Sequence, residues 1–424
     1  MSIRGYRRIG QCVHGAISLK LTRTRGWSEL VSSRRLAWYL ASDMSFRNPR
    51  IPTRFSLFVL LFTFPFLIRC LWAFVYCPVP YLYPDELLYP FAGKLYLQGL
   101  ASGDFSVFKV SPAHPPLSKL ITGIFVSLLG PLGTSDIMAL RLQTSLFSAL
   151  TCVVIFSISS RMDKRVGLLS WALLSLDPLS IRYVVASLDV TSLFFASLSI
   201  WAFLRTRKNS NRNYLFSGLF LGLASLSKYL AFPIVLGAFT LVMIGERVRS
   251  RTFFSRISLV AAAAIVLLVL GNPLLWPPQL IGFSGYRVIL GDTAGYSVVN
   301  PSGTGGLVLT ALDWLEPALK TWNTRYSIFY LSMFAQGTLV YPLPIFQSSY
   351  LPWIFLALLP LLAWRKYELG GLRFISLLWF STGFLMLWFP VKSQVEIYYL
   401  LWLQPPLAIF SATSMADLTV RKSG

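Results

Sequence analysis

Charge is scarce in this chain. Only 13% of its 424 residues are charged, about half the share of an average soluble domain. Acids are scarcest, with 16 Asp and Glu against 38 Lys and Arg, and there are two histidines and four cysteines. The shortage of charge excludes a conventional soluble enzyme of this length. Cys12, Cys70, Cys77 and Cys152 show no metal-ligand spacing, and Cys70 and Cys152 fall inside apolar runs, so neither a zinc site nor a disulfide framework is expected. Weak internal symmetry of the inverted kind, which many transporters carry, is also missing.

What is present is apolar length. Hydrophobic residues make up 55% of the chain and aromatics 15%; the mean hydropathy is +0.62. Apolar runs recur from Phe55 to the C-terminus. This pattern predicts an all-α polytopic membrane protein with aromatic belts at both interfaces. The net charge of +22 does not point to nucleic acid, because the basic residues sit in short clusters between the apolar runs. Clusters of that kind mark cytoplasmic loops.

Topology follows from those clusters. A first span over 55–76, interrupted only by Arg69, is preceded by Arg50 and Arg54. Leu117–Leu132 is short and ends in Gly130-Pro131, so it reads as a helix lying at the outer surface. Spans are then expected at 140–160, 166–185, 190–204, 214–227, 230–244 and 257–275. Under this reading Arg161–Arg165, Arg205–Lys208 and Arg247–Arg256 share one side with the first cluster. A loop of about 50 residues from Trp276, longer than structureless loops usually run, and a second surface or re-entrant segment over 326–346 precede three more spans. These are 351–364, 374–389 and 397–416, which make about ten with both termini inside.

Four regions result: a basic arm over 1–43, a transmembrane module over 44–275 whose first external loop is 77–139, an external region over 276–350, and C-terminal spans over 351–424. Residues 1–43 carry eight Lys and Arg against Glu29 and Asp43. Met44, followed by a short basic lead and a span, reads as an alternative start of translation. The arm otherwise suits a contact with anionic lipid.

The polar exceptions fall on the outer side: Asp85, Glu86, Lys94, His114, Lys119, Arg141, Arg182, Asp189, Lys228, Asp292 and Lys392. Ionisable groups near a membrane are functional candidates by default, although Lys94, Lys119 and Lys392 read as well as interfacial charges in water. Pro84-Asp85-Glu86 suits a helix start, with acids in the first turn favoured by the helix dipole. Adjacent helical residues point about 100° apart, so one acid is available as a base and the other as a positioning group. His114-Pro115-Pro116 carries a histidine on extended backbone. Lys228 tips an outer hairpin, where an ammonium can neutralise a lipid phosphate.

The order of these residues resembles a family. Asp85-Glu86 follows the first span, then come His114-Pro115-Pro116-Leu117-Ser118-Lys119, Arg141, Leu188-Asp189, and the Gly218–Lys228 stretch with its G-x-x-x-G-L-A-x-L-S-K pattern. Gly271-Asn272-Pro273 through Trp276 and Tyr398-Tyr399-Leu400-Leu401 match more loosely. The set is similar to the protein O-mannosyltransferases and to the bacterial transferases that add aminoarabinose to lipid A, both C-type glycosyltransferases using a polyprenyl-phosphate-linked sugar. The likeness implies that Asp85 is the catalytic base and Asp189 the later acidic position, which binds sugar hydroxyls or a divalent cation. It implies that Arg141 and Lys228 hold the donor phosphate and that Glu86 and His114 orient acceptor or loop; no complete metal site is read. The chain departs from eukaryotic O-mannosyltransferases in lacking their large luminal insertion. Partners implied are a lipid-linked, mannose-like sugar donor, a protein or glycolipid acceptor and membrane lipid, with no nucleic acid. The expected location is the plasma membrane, or else the endoplasmic reticulum membrane. The competing readings are a transporter or flippase of a lipid-linked sugar and a non-catalytic membrane scaffold or a ligase or polymerase of another type.

Overall fold

The computed structural model describes residues 51–76, 85–111, 114–185, 187–205, 211–245, 250–276, 287–288, 298–299, 349–363, 372–388 and 401–421. The expectations for 1–43, the loop after Trp276, 326–346, Asp292 and Lys392 therefore fall wholly or almost wholly outside the described residues. The chain divides into two units, Met1–Phe55 and Ser56–Gly424; all helices below belong to the second, apart from the first residues of α1.

Helices account for nearly all of what is described. In chain order they are α1 (Ile51–Leu71), α2 (Asp85–Ser102), α3 (Leu117–Leu129), α4 (Asp136–Ser159), α5 (Lys164–Ser175), α6 (Pro178–Arg182) and α7 (Ser187–Leu204). Then come α8 (Asn211–Ser227), α9 (Ala231–Gly245), α10 (Ser250–Gly271), α11 (Leu351–Ala363), α12 (Leu372–Trp388) and α13 (Gln404–Arg421). A two-residue antiparallel pairing joins Arg287 to Val299 and Val288 to Val298. The dominance of helix is what a bilayer imposes, since each backbone group must find its partner within its own segment. Three helices are long and apolar enough to cross a membrane by length and composition: Phe55–Val75, Asp136–Ser159 and Thr252–Gly271. Each of the ten expected spans is helical over most of its described residues. Leu117–Leu129, read as a surface helix, is 13 residues long, or about 20 Å.

One expected span is not continuous. Residues 166–185 form two helices bent by 54° at Leu176-Asp177, because Pro178 cannot continue the ladder of α5 but fits the first turn of a new helix. Asp177 caps that turn, accepting from the Ser180 backbone N–H at 2.8 Å and its hydroxyl at 2.9 Å. On the other side of the break the last carbonyls of α5 need donors. Arg69 supplies them: its guanidinium donates to Leu174 O and Ser175 O, both at 3.3 Å, and to Ser148 Oγ at 2.5 Å. The charge that interrupts the first span thus caps a helix C-terminus 105 residues away.

Close packing depends on small residues, as in other membrane bundles. A Cβ on Gly93 of α2 would lie 2.2 Å from Lys119 O and 2.7 Å from the Gly123 N of α3. A Cβ on Gly218 of α8 would lie 2.5 Å from Val260 O of α10, and one on Gly222 3.0 Å from Ala264 O. The glycines of the G-x-x-x-G stretch are there for that approach. Between α7 and α8, Ser199 Oγ donates to Ser217 O at 2.7 Å while Ser217 Oγ donates back to Ser199 O at 3.0 Å. The main apolar core runs through α4, α5, α7, α8 and α9 to Trp379, Trp402 and Leu407, and includes the Phe203 and Phe239 rings stacked with centroids 4.0 Å apart.

Candidate functional site

The ends of α1, α8 and α10 meet the beginnings of α2, α4, α7 and α9, and the polar exceptions of the sequence collect there. Two ion pairs organise the region. The first joins α2 to α4. Glu86, one residue inside α2, is buried, and Arg141 Nε donates to its Oε2 at 2.9 Å. A second guanidinium nitrogen, Nη1, donates to Ala73 O at 2.9 Å. Ala73 lies in the wide turn Trp72–Tyr76 that ends α1, a geometry that releases carbonyls from the helical ladder. One arginine fork therefore ties three chain segments together, which a point-charge ammonium could not do as well.

The second pair joins α7 to the α8–α9 turn. Lys228 Nζ lies 2.6 Å from both carboxylate oxygens of Asp189. Asp189 is in the first turn of α7, where the helix dipole favours a negative charge. Trp402 Nε1 also donates to Asp189 Oδ1, at 2.9 Å. Lys228, expected at an exposed hairpin tip, is instead 6% exposed and Asp189 2%. Two opposite charges this far from water persist because they are paired and the carboxylate is further bonded by Trp402.

Ser111 and the stretch from His114 to Lys119 hold a third cation. Lys119, which also read as an interfacial charge in water, is fully buried. Its ammonium donates to Ser111 O at 2.5 Å and His114 O at 2.7 Å, and lies 5.8 Å and 5.7 Å from the ring centres of Tyr89 and Tyr96. Those aromatic faces stabilise the cation. The His114 ring meets Tyr89 edge-on at 6.4 Å. Burial first, then the positive charges of Lys228 and Lys119, hold His114 well below its ordinary value of 6.5. It is therefore a neutral imidazole near pH 7, able to donate and accept one hydrogen bond each. A polar chain underlies the site: Ser118 Oγ and Gln143 Nε2 both donate to Thr191 Oγ1 at 3.2 Å, and Thr122 Oγ1 donates to Gln143 Oε1 at 2.5 Å.

The structure thus brings Glu86 to Arg141, and Asp189 to Lys228, with His114 within electrostatic reach of Lys228. The two cations sit on different carboxylates. Asp85 is the first residue of α2; its expected role as a base falls outside the described side chains. Lys94 pairs at 2.6 Å with Asp136, both about two-fifths exposed, as an interfacial charge would. Among the described residues no three His, Cys, Asp or Glu side chains come together as a metal cluster. Reading the sequence gave Arg69 and Trp402 no role and left Lys119 open. A lone charge in an apolar run was the available signal for Arg69 and Lys119; Trp402, one aromatic among many, carried none.

The bundle geometry is that of known membrane enzymes. Aligned with the structure of ArnT from Cupriavidus metallidurans bound to undecaprenyl phosphate, it gives a TM-score of 0.52 at 17% identity, over 86% of this chain and 60% of that one. The apo form of the same protein gives 0.50 at 15% identity, over 88% and 62%. The chain has the C-type glycosyltransferase fold. It spans about three-fifths of the length of that C-type glycosyltransferase. The S. cerevisiae protein O-mannosyltransferase Pmt1–Pmt2 complex bound to the sugar donor aligns with a TM-score of 0.41 at 19% identity, over 57% of this chain and 36% of that one. Residues 113–276 match the family described as dolichyl-phosphate-mannose-protein mannosyltransferase. That stretch holds His114, Lys119, Arg141, Asp189 and Lys228 of the C-type fold, and begins after Asp85 and Glu86. No curated protein sequence matches the chain.

Proposed function

We propose that this chain is a membrane glycosyltransferase that moves a mannose-like sugar from a polyprenyl-phosphate donor to an acceptor hydroxyl at the outer membrane face. The observation that carries the reading is the convergence of Glu86–Arg141 and Asp189–Lys228, two buried acid–base pairs from four separate segments, in a C-type glycosyltransferase fold. Buried charge in a membrane bundle is expensive and marks function by default.

A phosphodiester-linked sugar already has a good leaving group, so a strong general acid is not required. In the proposed step Asp85 takes the proton of the acceptor hydroxyl as its oxygen bonds the anomeric carbon. The bond from that carbon to the phosphate oxygen breaks, the electron pair leaves with the lipid phosphate, and the anomeric carbon inverts. Lys228 and Arg141 stabilise the charge on the departing phosphate. Glu86, held by Arg141, positions the start of α2, and neutral His114 orients the acceptor or the loop. Asp189 binds sugar hydroxyls or a divalent cation. The acceptor is a protein or a glycolipid; the membrane is the plasma membrane, or else that of the endoplasmic reticulum.

The test is turnover of a radiolabelled polyprenyl-phosphate sugar by the purified chain in lipid, with loss of sugar from the lipid followed over a panel of hydroxyl acceptors. Cleavage that depends on protein supports the reading. Movement of intact donor across the bilayer without cleavage replaces it with a transporter.

A further inference from the structure

We propose that Trp402 is a positioning residue of this site: its indole N–H fixes the Asp189 carboxylate so that Lys228 is presented to the phosphate of the lipid-linked donor. The inference rests on the functional reading above and adds a residue that neither the quoted motifs nor the matched residues 113–276 include.

Trp402 is not a lipid-facing aromatic. Tryptophans of the membrane belts sit with their rings at the headgroup level, whereas Trp402 is fully buried within the main core. Its N–H reaches Asp189 Oδ1 at 2.9 Å across 213 residues of sequence. That oxygen also lies 2.6 Å from Lys228 Nζ, as does Oδ2. A carboxylate held by an ammonium alone can turn about its Cβ–Cγ bond and still keep the pair. A second donor fixed to one oxygen stops that rotation and so fixes the direction in which the ammonium is held. The indole donor also shares the carboxylate's charge, which leaves more of the lysine's positive field for an incoming phosphate.

Trp402 is itself anchored. Two residues on, Gln404 Oε1 lies 3.0 Å from Ser349 Oγ, whose hydroxyl is also 2.5 Å from Asp177 Oδ1 at the break between α5 and α6. The Tyr350 hydroxyl donates to Leu173 O. The first residue of α13 is thus linked through Ser349 to the bent span, two residues after the indole that meets Asp189, and a displaced α13 would move the indole away from the carboxylate.

The experiment is a double-mutant cycle on the full-length protein in nanodiscs. The probe is a polyprenyl monophosphate without sugar, bound by wild type, Trp402→Phe, Asp189→Asn and the double variant. Phe keeps the ring and loses the donor. The expected result is binding about tenfold weaker for Trp402→Phe in the wild-type background, the loss of a hydrogen bond to a charged group, and a change of less than about twofold when Asp189 is already Asn. An equal loss in both backgrounds would mean that the ring acts by packing and would overturn the inference. So would full binding by Trp402→Phe. If Trp402→Phe does not fold, Trp402→His, which retains a ring N–H, decides: retained binding supports the inference and lost binding overturns it. Wild-type protein that binds no polyprenyl monophosphate removes the functional reading, and the inference with it, an outcome distinct from the failure of Trp402 alone.

Discussion

Replacing Gly93 by Ala adds one methyl group at the tightest approach between α2 and α3. That methyl would meet Lys119 O at 2.2 Å, Gly123 N at 2.7 Å and the Gly123 Cα at 3.0 Å. All three are backbone atoms, so no side chain can swing aside. Carbon contacts settle at roughly 3.5–4.0 Å, and the two helices must part by more than about 1 Å. Overpacking in well-filled cores costs about 1–3 kcal/mol and occasionally more; with backbone on every side we expect at least about 3 kcal/mol, which for a chain of 424 residues is roughly 3–4 °C in Tm. The same displacement moves Lys119 O, and with it the strap that carries His114, so activity falls further than stability. Gly130→Ala is the control. Nothing lies within 4 Å of its added Cβ, and its backbone is already right-handed helical, so the change is neutral or slightly stabilising. The assay is thermal unfolding in detergent alongside donor turnover. An unchanged Tm for Gly93→Ala, or equal losses for the two variants, would refute the packing argument.

Three further outcomes concern the buried charges. Arg141→Met leaves Glu86 as a buried carboxylate without its guanidinium; the cost is about 3–5 kcal/mol, and adding Glu86→Gln should recover part of it in the same unfolding assay. Arg69→Met strips the donors from Leu174 O and Ser175 O at the break in the bent span, which should cost about 2–4 kcal/mol and raise protease sensitivity near Asp177. His114, held neutral below its ordinary value of 6.5, contributes stability that is fully present above pH 6.5. That contribution is lost as the pH falls below it, where the unfolded chain binds a proton that the folded chain refuses. Wild-type Tm should therefore drop between about pH 7 and pH 5, and His114→Asn should flatten that part of the curve.

Much of the fold was legible because a bilayer leaves few choices. Apolar length marked the helices, and each expected span is helical over most of its described residues. The break at Asp177 was not legible: Leu176-Asp177-Pro178 sits in an otherwise apolar run, and its stability comes from Arg69 and Ser349, far away in sequence. The buried charges stood out in the sequence as residues and not as partnerships. Scarcity made Glu86, Arg141, Asp189 and Lys228 stand out, but which acid holds which base depends on how α2, α4, α7 and α8 pack. Lys119 read equally well as a solvated charge, since only the enclosing rings of Tyr89 and Tyr96 distinguish a buried ammonium from an interfacial one. Trp402 lies in an aromatic-rich stretch where composition offers nothing to separate a core residue from one that touches the site.

The most direct measurement is sugar release from a radiolabelled polyprenyl-phosphate donor by wild type and by Asp85→Asn, in matched nanodiscs with matched thermal stability. The account predicts turnover by wild type and a loss of at least about a hundredfold in the variant, the scale of a lost general base. Equal turnover by both would contradict Asp85 as the base, and a wild type that carries the intact donor across a bilayer without cleaving it would contradict the transferase itself.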